Sequence, residues 1–177
     1  MSCYLIITCS KDDEYKQAIQ NTLAILPEYI TPIIVGKRTI GEFPCRVVYT
    51  TNNNNNEMED IKQVINECYI QDEDMIIKLT GTHFPTQDHL FKHVNNMMHE
   101  TDAFVKFFNV STRVFDKSDS VFGFFGLRCT YLKRFVYKGE KSPGIEFATF
   151  IHETIREDKI ESIRKLHAYD PDESLHV

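Results

Sequence analysis

The apolar run from Met75 to Leu79 contains one residue whose chemistry stands out, the lysine at position 78. A lysine inside a buried strand needs an anionic partner or a route to solvent. One interpretation is a lysine that snorkels from a strand edge, and the other is a cation placed beside a ligand phosphate. Gly81 follows shortly after, where a glycine lets a backbone approach a ligand closely or simply closes a turn.

Several motifs that would indicate a known kind of site are absent from the sequence or incomplete. The chain has neither G-x-x-x-x-G-K-[ST] nor G-x-G-x-x-G, which argues against a P-loop enzyme and a dinucleotide oxidoreductase. His89 and His93 share a helix face, but no H-E-x-x-H arrangement accompanies them. Asp72 and Asp74 form D-x-D before a strand rather than after it, where we expect a solvated turn. We therefore predict no metal site from protein ligands.

Apolar strands alternate with amphipathic helices along the chain. The apolar patterns predict strands over 3–9, 32–36, 46–50, 75–79, 103–110 and 121–127, and helices over 14–26, 58–69, 86–100 and 145–156. The stretch 160–166 fits either state, and Asn52–Asn56 reads as a loop. This alternation predicts a single-domain α/β fold, with a mostly parallel central sheet and helices on both faces. Ligands of such sheets bind beyond the carboxyl ends of the strands.

Composition narrows the class of protein. The 177 residues are 42% hydrophobic and 26% charged, with a net charge of −6, which suits one globular domain over 1–169 with a frayed tail over 170–177. The acidic balance argues against a general nucleic-acid binder. No apolar run is long enough to span a bilayer and no signal peptide begins the chain, so we expect a cytoplasmic protein. Five cysteines without a C-x2-C spacing indicate reduced, mostly buried thiols.

Three stretches together resemble small glycosyltransferase-like proteins of large DNA viruses and some bacteria. They are Ile76–Gly81 (IIKLTG), Asp102–Phe108 (DAFVKFF) and Lys141–Ala148 (KSPGIEFA). They occur in the same order as in that family and span most of the chain. The resemblance implies a GT-A type fold, a nucleotide-sugar donor and a glycan or protein acceptor. For a viral member it also implies action in the host cytoplasm.

The strand end departs from the family pattern. Family members typically continue as K-[IL]-[TS]-G-R-Y, whereas this chain has Thr82 and His83 in the last two places. Many GT-A enzymes also carry an Asp-x-Asp there that binds a divalent metal, and this strand end has no carboxylate. The resemblance therefore implies that Lys, Arg or backbone amides stabilise the leaving diphosphate. A bound Mn²⁺ or Mg²⁺ is the open alternative.

These residues define a predicted site. We expect Glu146 to act as the general base, because it follows the Ser142-Pro143-Gly144 turn at a helix start, where related GT-A enzymes often place that carboxylate. A purely electrostatic role at the helix start is the alternative, and Asp116 and Asp119 are weaker candidates for the base. The predicted donor-binding residues cluster at strand ends: Thr8, Ser10, Lys78, Thr80, Gly81 and His83.

Two rival functions stay open at this point. A non-catalytic relative would keep the fold as a binding or structural module, and the missing Asp-x-Asp favours it. A nucleotidyltransferase would share the sheet but would need metal-binding carboxylates.

Overall fold

The computed structural model describes residues 1–9, 15–53, 55–81, 84–107, 117–164, 168–170 and 175–176. The described strands are β1 Cys3–Cys9, β2 Ile30–Gly36, β3 Arg46–Tyr49, β4 Met75–Thr80, β5 Phe84–Pro85, β6 Ala103–Phe107, β7 Ser120–Arg128, β8 Ile160–Ser162, β9 Ala168–Asp170 and β10 Leu175–His176. The described helices are α1 Lys16–Ile25, α2 Glu57–Glu67, α3 His89–Met97, α4 Cys129–Leu132 and α5 Pro143–Thr154.

Seven strands form the central sheet, in the order β3-β2-β1-β4-β7-β6-β8. The first four are parallel to one another, and β6 and β8 are parallel to each other. Strand β7 runs antiparallel to both β4 and β6. It is therefore the one strand of this sheet that points the other way, and the predicted mostly parallel sheet is confirmed.

Side chains from the two faces of the sheet form two apolar clusters. Successive residues of a strand point to opposite faces, so Leu5 and Ile7 face α1 and α3, whereas Ile6 faces α2 and α5. Helices pack on both faces, which is typical of parallel strands. The predicted helices on both faces are thus confirmed.

Local sequence signals explain where α2 and α5 begin. Asn56 caps α2 through its side-chain oxygen, which accepts a hydrogen bond from the backbone N–H of Met58 at 3.0 Å. Ser142 caps α5, and Pro143 occupies its first turn. No described helix is long and apolar enough to cross a membrane.

Several element bounds differ from the prediction. Helix α3 is shorter than the predicted 86–100, and Phe84–Pro85 before it pair with β9 in a second, three-stranded sheet of β10, β9 and β5. Strand β6 is described to Phe107, and the rest of its predicted span lies outside the described residues. Of the tail from Asp170, the described part is Asp170 itself and Leu175–His176, where Leu175 pairs with Asp170.

Polar side chains at the amino edge of the sheet hold neighbouring segments of the chain in place. Asp74 is buried, and its carboxylate accepts hydrogen bonds from the backbone N–H groups of Ser2 at 2.7 Å and Gln71 at 2.9 Å. Asp72 pairs with Lys133 on the surface. The D-x-D therefore lies on the edge opposite the strand ends, as predicted, but the expectation of a solvated turn is wrong for Asp74, since amide donors replace water around it.

The cysteines are free thiols. Cys3, Cys9 and Cys129 are buried, and Cys45 and Cys68 are half-buried. Burial, helped by nearby carboxylates, raises the pKa of Cys3 and of Cys9 to about 12. These two thiols are therefore protonated at neutral pH and behave as core residues.

Candidate functional site

The order of the strands defines where a ligand should bind. The chain lays β2 and then β3 to one side of β1, and then returns to place β4 on the other side of β1. The order therefore reverses between β1 and β4, where Thr8 and Thr80 are partners in the strand register. Crevices outside the carboxyl ends of strands at such a switch point are the usual ligand sites of open α/β sheets.

A buried ion pair lies at this switch point. The Lys78 Nζ atom is 2.7 Å from the Glu57 Oε2 atom, and the two side chains are 0% and 20% exposed. The same ammonium donates hydrogen bonds to Thr80 Oγ1 at 2.7 Å and to the Phe122 carbonyl at 2.8 Å, and it lies 4.7 Å from the centre of the Phe122 ring. Lys78 therefore does not snorkel, because its three N–H donors all have protein acceptors.

Glu57 connects the first turn of α2 to both strand ends. Its Oε1 atom accepts hydrogen bonds from Thr8 Oγ1 at 2.8 Å and from Thr80 Oγ1 at 3.2 Å. Burial raises the pKa of Glu57, but Lys78 and these hydroxyl groups lower it by more, so it lies below its ordinary value. Burial lowers the pKa of Lys78, and the Glu57 carboxylate opposes that shift. Glu57 is thus an ionised group inside the site.

Sequence reasoning missed Glu57, although a signal for it exists. The predicted loop ends at Asn56 and the predicted helix begins at Met58, so Glu57 is assigned to neither. Glu57 precedes Ile61 by four residues and Val64 by seven, so it lies on the same face as the buried stripe of α2. A carboxylate on such a buried face needs a cationic partner. Lys78, a strand lysine that needs an anionic partner, is the candidate in the sequence.

A second polar cluster adjoins the first at the end of β3. The Asp60 carboxylate is 8% exposed and accepts hydrogen bonds from Thr50 Oγ1 and from Asn52 Nδ2. Asn52 Nδ2 also donates to the Asn56 carbonyl at 2.8 Å. Burial raises the pKa of Asp60 against the effect of these hydrogen bonds. The cluster ties the loop before α2 to the carboxyl edge of the sheet.

Gly81 closes the junction between the two strand ends. Its N–H donates to the Thr8 carbonyl at 2.8 Å. A β-carbon at this position would lie 3.2 Å from that oxygen and 3.3 Å from the sulfur of Cys9. The close approach of β1 and β4 therefore favours glycine. Ser10 and His83 lie outside the described residues, so their donor-binding roles stay predictions.

Glu146 lies in the first turn of α5, as predicted, and its carboxylate is engaged by backbone groups. It accepts hydrogen bonds from the N–H groups of Lys138 at 2.7 Å, Glu140 at 2.7 Å and Lys141 at 2.9 Å. Burial raises its pKa, but these three donors lower it by more, so the net shift is downward. The carboxylate folds the loop 138–141 back onto the helix start, and its role as a base stays a prediction.

The start of α5 is fixed at the carboxyl edge of the sheet. Ser120 Oγ donates a hydrogen bond to the Gly144 carbonyl at 2.8 Å. A β-carbon on Gly144 would lie 2.1 Å from the Ser120 carbonyl oxygen, so only glycine fits there. Because β7 runs antiparallel to β4, its first residue, Ser120, lies at the same edge as Thr80. The elements that carry Glu146 and Thr80 thus meet on one side of the sheet.

The described residues do not form a protein metal site. No group of three His, Cys, Asp or Glu side chains among them is placed to hold a metal ion. His93 instead contacts Glu161 at 3.0 Å, and Glu57 is committed to Lys78. Asp119 accepts a hydrogen bond from the N–H of Ser120, and Asp116 lies outside the described part. A divalent ion at the donor site stays an open expectation.

Comparison with known proteins identifies the architecture. Neither a protein-family model nor a curated protein sequence matches the chain. Residues 1–349 of TarS from S. aureus superpose with a TM-score of 0.65 at 13% identity, over 96% of this chain and 60% of that one. A candidate nucleotide-diphospho-sugar transferase from Desulfovibrio desulfuricans G20 superposes with a TM-score of 0.58 at 12% identity, over 92% and 80%. The fold is GT-A-like.

These likenesses show the fold rather than an activity. The chain spans only about 60% of the TarS fragment. A 4-diphosphocytidyl-2C-methyl-D-erythritol synthase from Anaerococcus prevotii also superposes, with a TM-score of 0.53 at 9% identity over 99% and 90% of the two chains. Nucleotidyltransferases therefore share this architecture with nucleotide-sugar transferases, and activity has to be argued from the site.

The ion pair predicts a large effect of a single substitution. Lys78→Met keeps most of the hydrocarbon stem but leaves the Glu57 charge without its partner, so the free energy of unfolding should fall by about 3–5 kcal/mol. The double variant Lys78→Met/Glu57→Gln should recover part of that loss because it removes both charges. Urea unfolding followed by circular dichroism measures both values.

Lys92→Met is the matched control for this prediction. Lys92 pairs with Asp88 on the surface of α3, and removal of such an exposed pair changes stability little because solvent screens it. A Lys78→Met variant no less stable than Lys92→Met would show that the buried pair does not hold the strand ends together.

The lowered pKa of Glu57 predicts how stability depends on pH. A carboxyl group whose pKa is lower in the folded state contributes stability above its unfolded-state pKa, and this contribution is lost as the pH falls through the folded-state pKa. Below about pH 4.3, the ordinary pKa of a glutamate, unfolding titrations should therefore show a shallower acid loss for Glu57→Gln than for the parent protein. Equal slopes for the two proteins would contradict the assignment.

Proposed function

We propose that this protein is a glycosyltransferase that binds a nucleotide-sugar at the carboxyl ends of β1 and β4. The observation that carries the proposal is the polar cluster of Thr8, Glu57, Lys78 and Thr80 at the switch point of a GT-A-like sheet. Solved structures with the same architecture include a candidate nucleotide-diphospho-sugar transferase. The cytoplasm as the site of action stays an expectation from sequence.

The proposed donor residues have two kinds of role, one structural and one in direct contact with the donor. Lys78 holds Glu57 and Thr80 in place, and a direct contact with a diphosphate would require it to give up one of its three protein acceptors. Thr8 and Thr80 present hydroxyl groups at the strand ends, and Gly81 brings the backbone close. Ser10 and His83 follow the same two strands in sequence, so they complete the proposed donor site.

The proposed reaction transfers the sugar to a hydroxyl group of the acceptor. The acceptor oxygen forms a bond to the anomeric carbon, and the bond from that carbon to the diphosphate oxygen breaks. The leaving nucleoside diphosphate takes the bonding electron pair, and the hydroxyl proton passes to a carboxylate. Glu146 is the proposed recipient, since its lowered pKa keeps it ionised at neutral pH.

One observation favours a non-catalytic nucleotide-sugar-binding protein as the second candidate. Both charged groups expected to take part in the chemistry are already engaged within the protein, Lys78 by three acceptors and Glu146 by three backbone donors. An engaged carboxylate is a weaker base, because each hydrogen bond stabilises its ionised form. This candidate predicts donor binding without turnover.

A thermal-shift and calorimetry screen tests donor binding. Nucleoside diphosphate-sugars, the matching nucleoside diphosphates and free sugars are compared, each with Mn²⁺ and with EDTA. A nucleotide-sugar present at about 100 times its Kd should add about 2.7 kcal/mol of apparent stability. If no nucleotide-sugar or nucleoside diphosphate stabilises the protein under either condition, the proposal is overturned. Retained binding in EDTA would support metal-independent recognition.

Glu146→Gln tests the proposed base. Glutamine keeps an oxygen that accepts hydrogen bonds from the loop 138–141 but takes a proton poorly. Donor affinity should therefore survive, while turnover falls by about 10² to 10⁴. Donor calorimetry and a transfer assay on the same variant separate the two effects.

Glu59→Gln provides the control for that measurement. Glu59 lies exposed in the first turn of α2, so the same chemical change occurs at another helix start. Turnover by Glu59→Gln should match the parent protein. If Glu146→Gln also stays within a few-fold of the parent, Glu146 is a structural residue, and Asp116 and Asp119 become the next candidates.

A further inference from the structure

A cavity of about 400 Å³ lies between α5 and the segment 134–141. Glu146, Thr149 and Glu153 of α5 line it from one side, along one face of the helix. Its size falls within the range of small-molecule sites in proteins. Of the proposed donor-binding residues that the structure describes, none lines this cavity.

Apolar side chains contribute part of the cavity lining. Phe135 and Phe150 contribute two rings whose centres lie 5.2 Å apart. Val136 lies beside them and is 62% exposed, an apolar side chain that the fold leaves in water. Aromatic and aliphatic groups of this kind bind the C–H faces of a ligand by excluding water from them.

The charged groups around the cavity balance in sign. Arg134, Lys138 and Lys141 contribute three cations. Glu140, Glu146 and Glu153 contribute three carboxylates. A strongly charged ligand would be attracted by one set and repelled by the other. A neutral ligand rich in hydroxyl groups can instead donate hydrogen bonds to the carboxylates and accept them from the cations.

Glu146, the proposed general base, is also one of the residues that line the cavity. Its carboxylate holds the N–H groups of Lys138, Glu140 and Lys141, so the residue proposed as the base also shapes the cavity wall. The start of α5 is fixed against Ser120 at the carboxyl edge of the sheet. A hydroxyl group of a ligand in the cavity would therefore lie on the side of the molecule where the donor is proposed to bind.

We propose that this cavity binds the acceptor, and that the acceptor is a neutral glycan. The inference rests on the proposed function and narrows it. A protein acceptor fits the observations less well. A specific protein interface buries about 1,200–2,000 Å² in total. This cavity has room for a few sugar rings, and its apolar lining consists of three side chains. A protein acceptor becomes one outcome of the test.

Nuclear magnetic resonance of the ¹⁵N-labelled full chain tests the proposal without any need for transfer. The probes are maltose, cellobiose and N,N′-diacetylchitobiose as neutral glycans, digalacturonic acid as a charged glycan, and an uncharged serine-containing peptide. At least one neutral disaccharide should shift amide signals within 134–153, and the charged sugar and the peptide should not. Val136→Asp should weaken that binding at least tenfold.

Tyr69→Asp is the matched control, because it makes the same kind of change at an apolar side chain that is 82% exposed outside this cavity. It should leave glycan binding unchanged. The proposal is overturned if no neutral disaccharide shifts these amides, if the peptide or the charged sugar shifts them instead, or if Val136→Asp binds as the parent does. Donor calorimetry on Val136→Asp keeps the two proposals apart, since donor affinity should be unaffected there even where glycan binding is lost.

Discussion

The contact between Lys78 and Glu57 is the interaction on which the arrangement of the candidate site depends. It joins strand β4 to the first turn of α2, and through shared hydrogen bonds it also holds Thr8 of β1 and the Phe122 carbonyl of β7. A buried pair of charges is seldom the most stabilising choice, because apolar residues of similar volume often do as well. The pair does, however, restrict the structure, because each buried charge needs the other as its partner. The helix start and the strand ends therefore have one arrangement that satisfies both charges.

This arrangement has a consequence for binding a charged donor. The ammonium of Lys78 is neutralised by Glu57 and shielded by the Phe122 ring, so its field at the strand ends is weaker than that of a free lysine. The hydroxyl protons of Thr8 and Thr80 are likewise donated to Glu57, so these hydroxyl groups could donate to a diphosphate only by giving up that contact.

The sequence predicts the sheet better than it predicts the site. Short apolar runs rich in β-branched residues, such as Cys3–Cys9, favour buried strands, so their positions follow from length and residue type. The antiparallel direction of β7 and the short strands of the second sheet depend on tertiary pairing that no local pattern records. That Thr8, Thr80 and Gly81 lie together could be predicted because strand ends meet at one edge. Glu57 was missed because its importance comes from a partner 21 residues away, visible only when the helix is extended by one residue.

As the proposed base, Glu146 would have to meet opposed requirements of structure and chemistry. The hydrogen bonds that order the loop 138–141 favour the ionised form, which keeps the group able to accept a proton but reduces its basicity. A proton that arrived on Glu146 would remove part of the attraction for those three N–H groups. Protonation would thus loosen the wall formed by Lys138, Glu140 and Lys141 at the moment when a product occupies the cavity. A base that also holds the wall of the acceptor site would in this way couple proton transfer to release of the product.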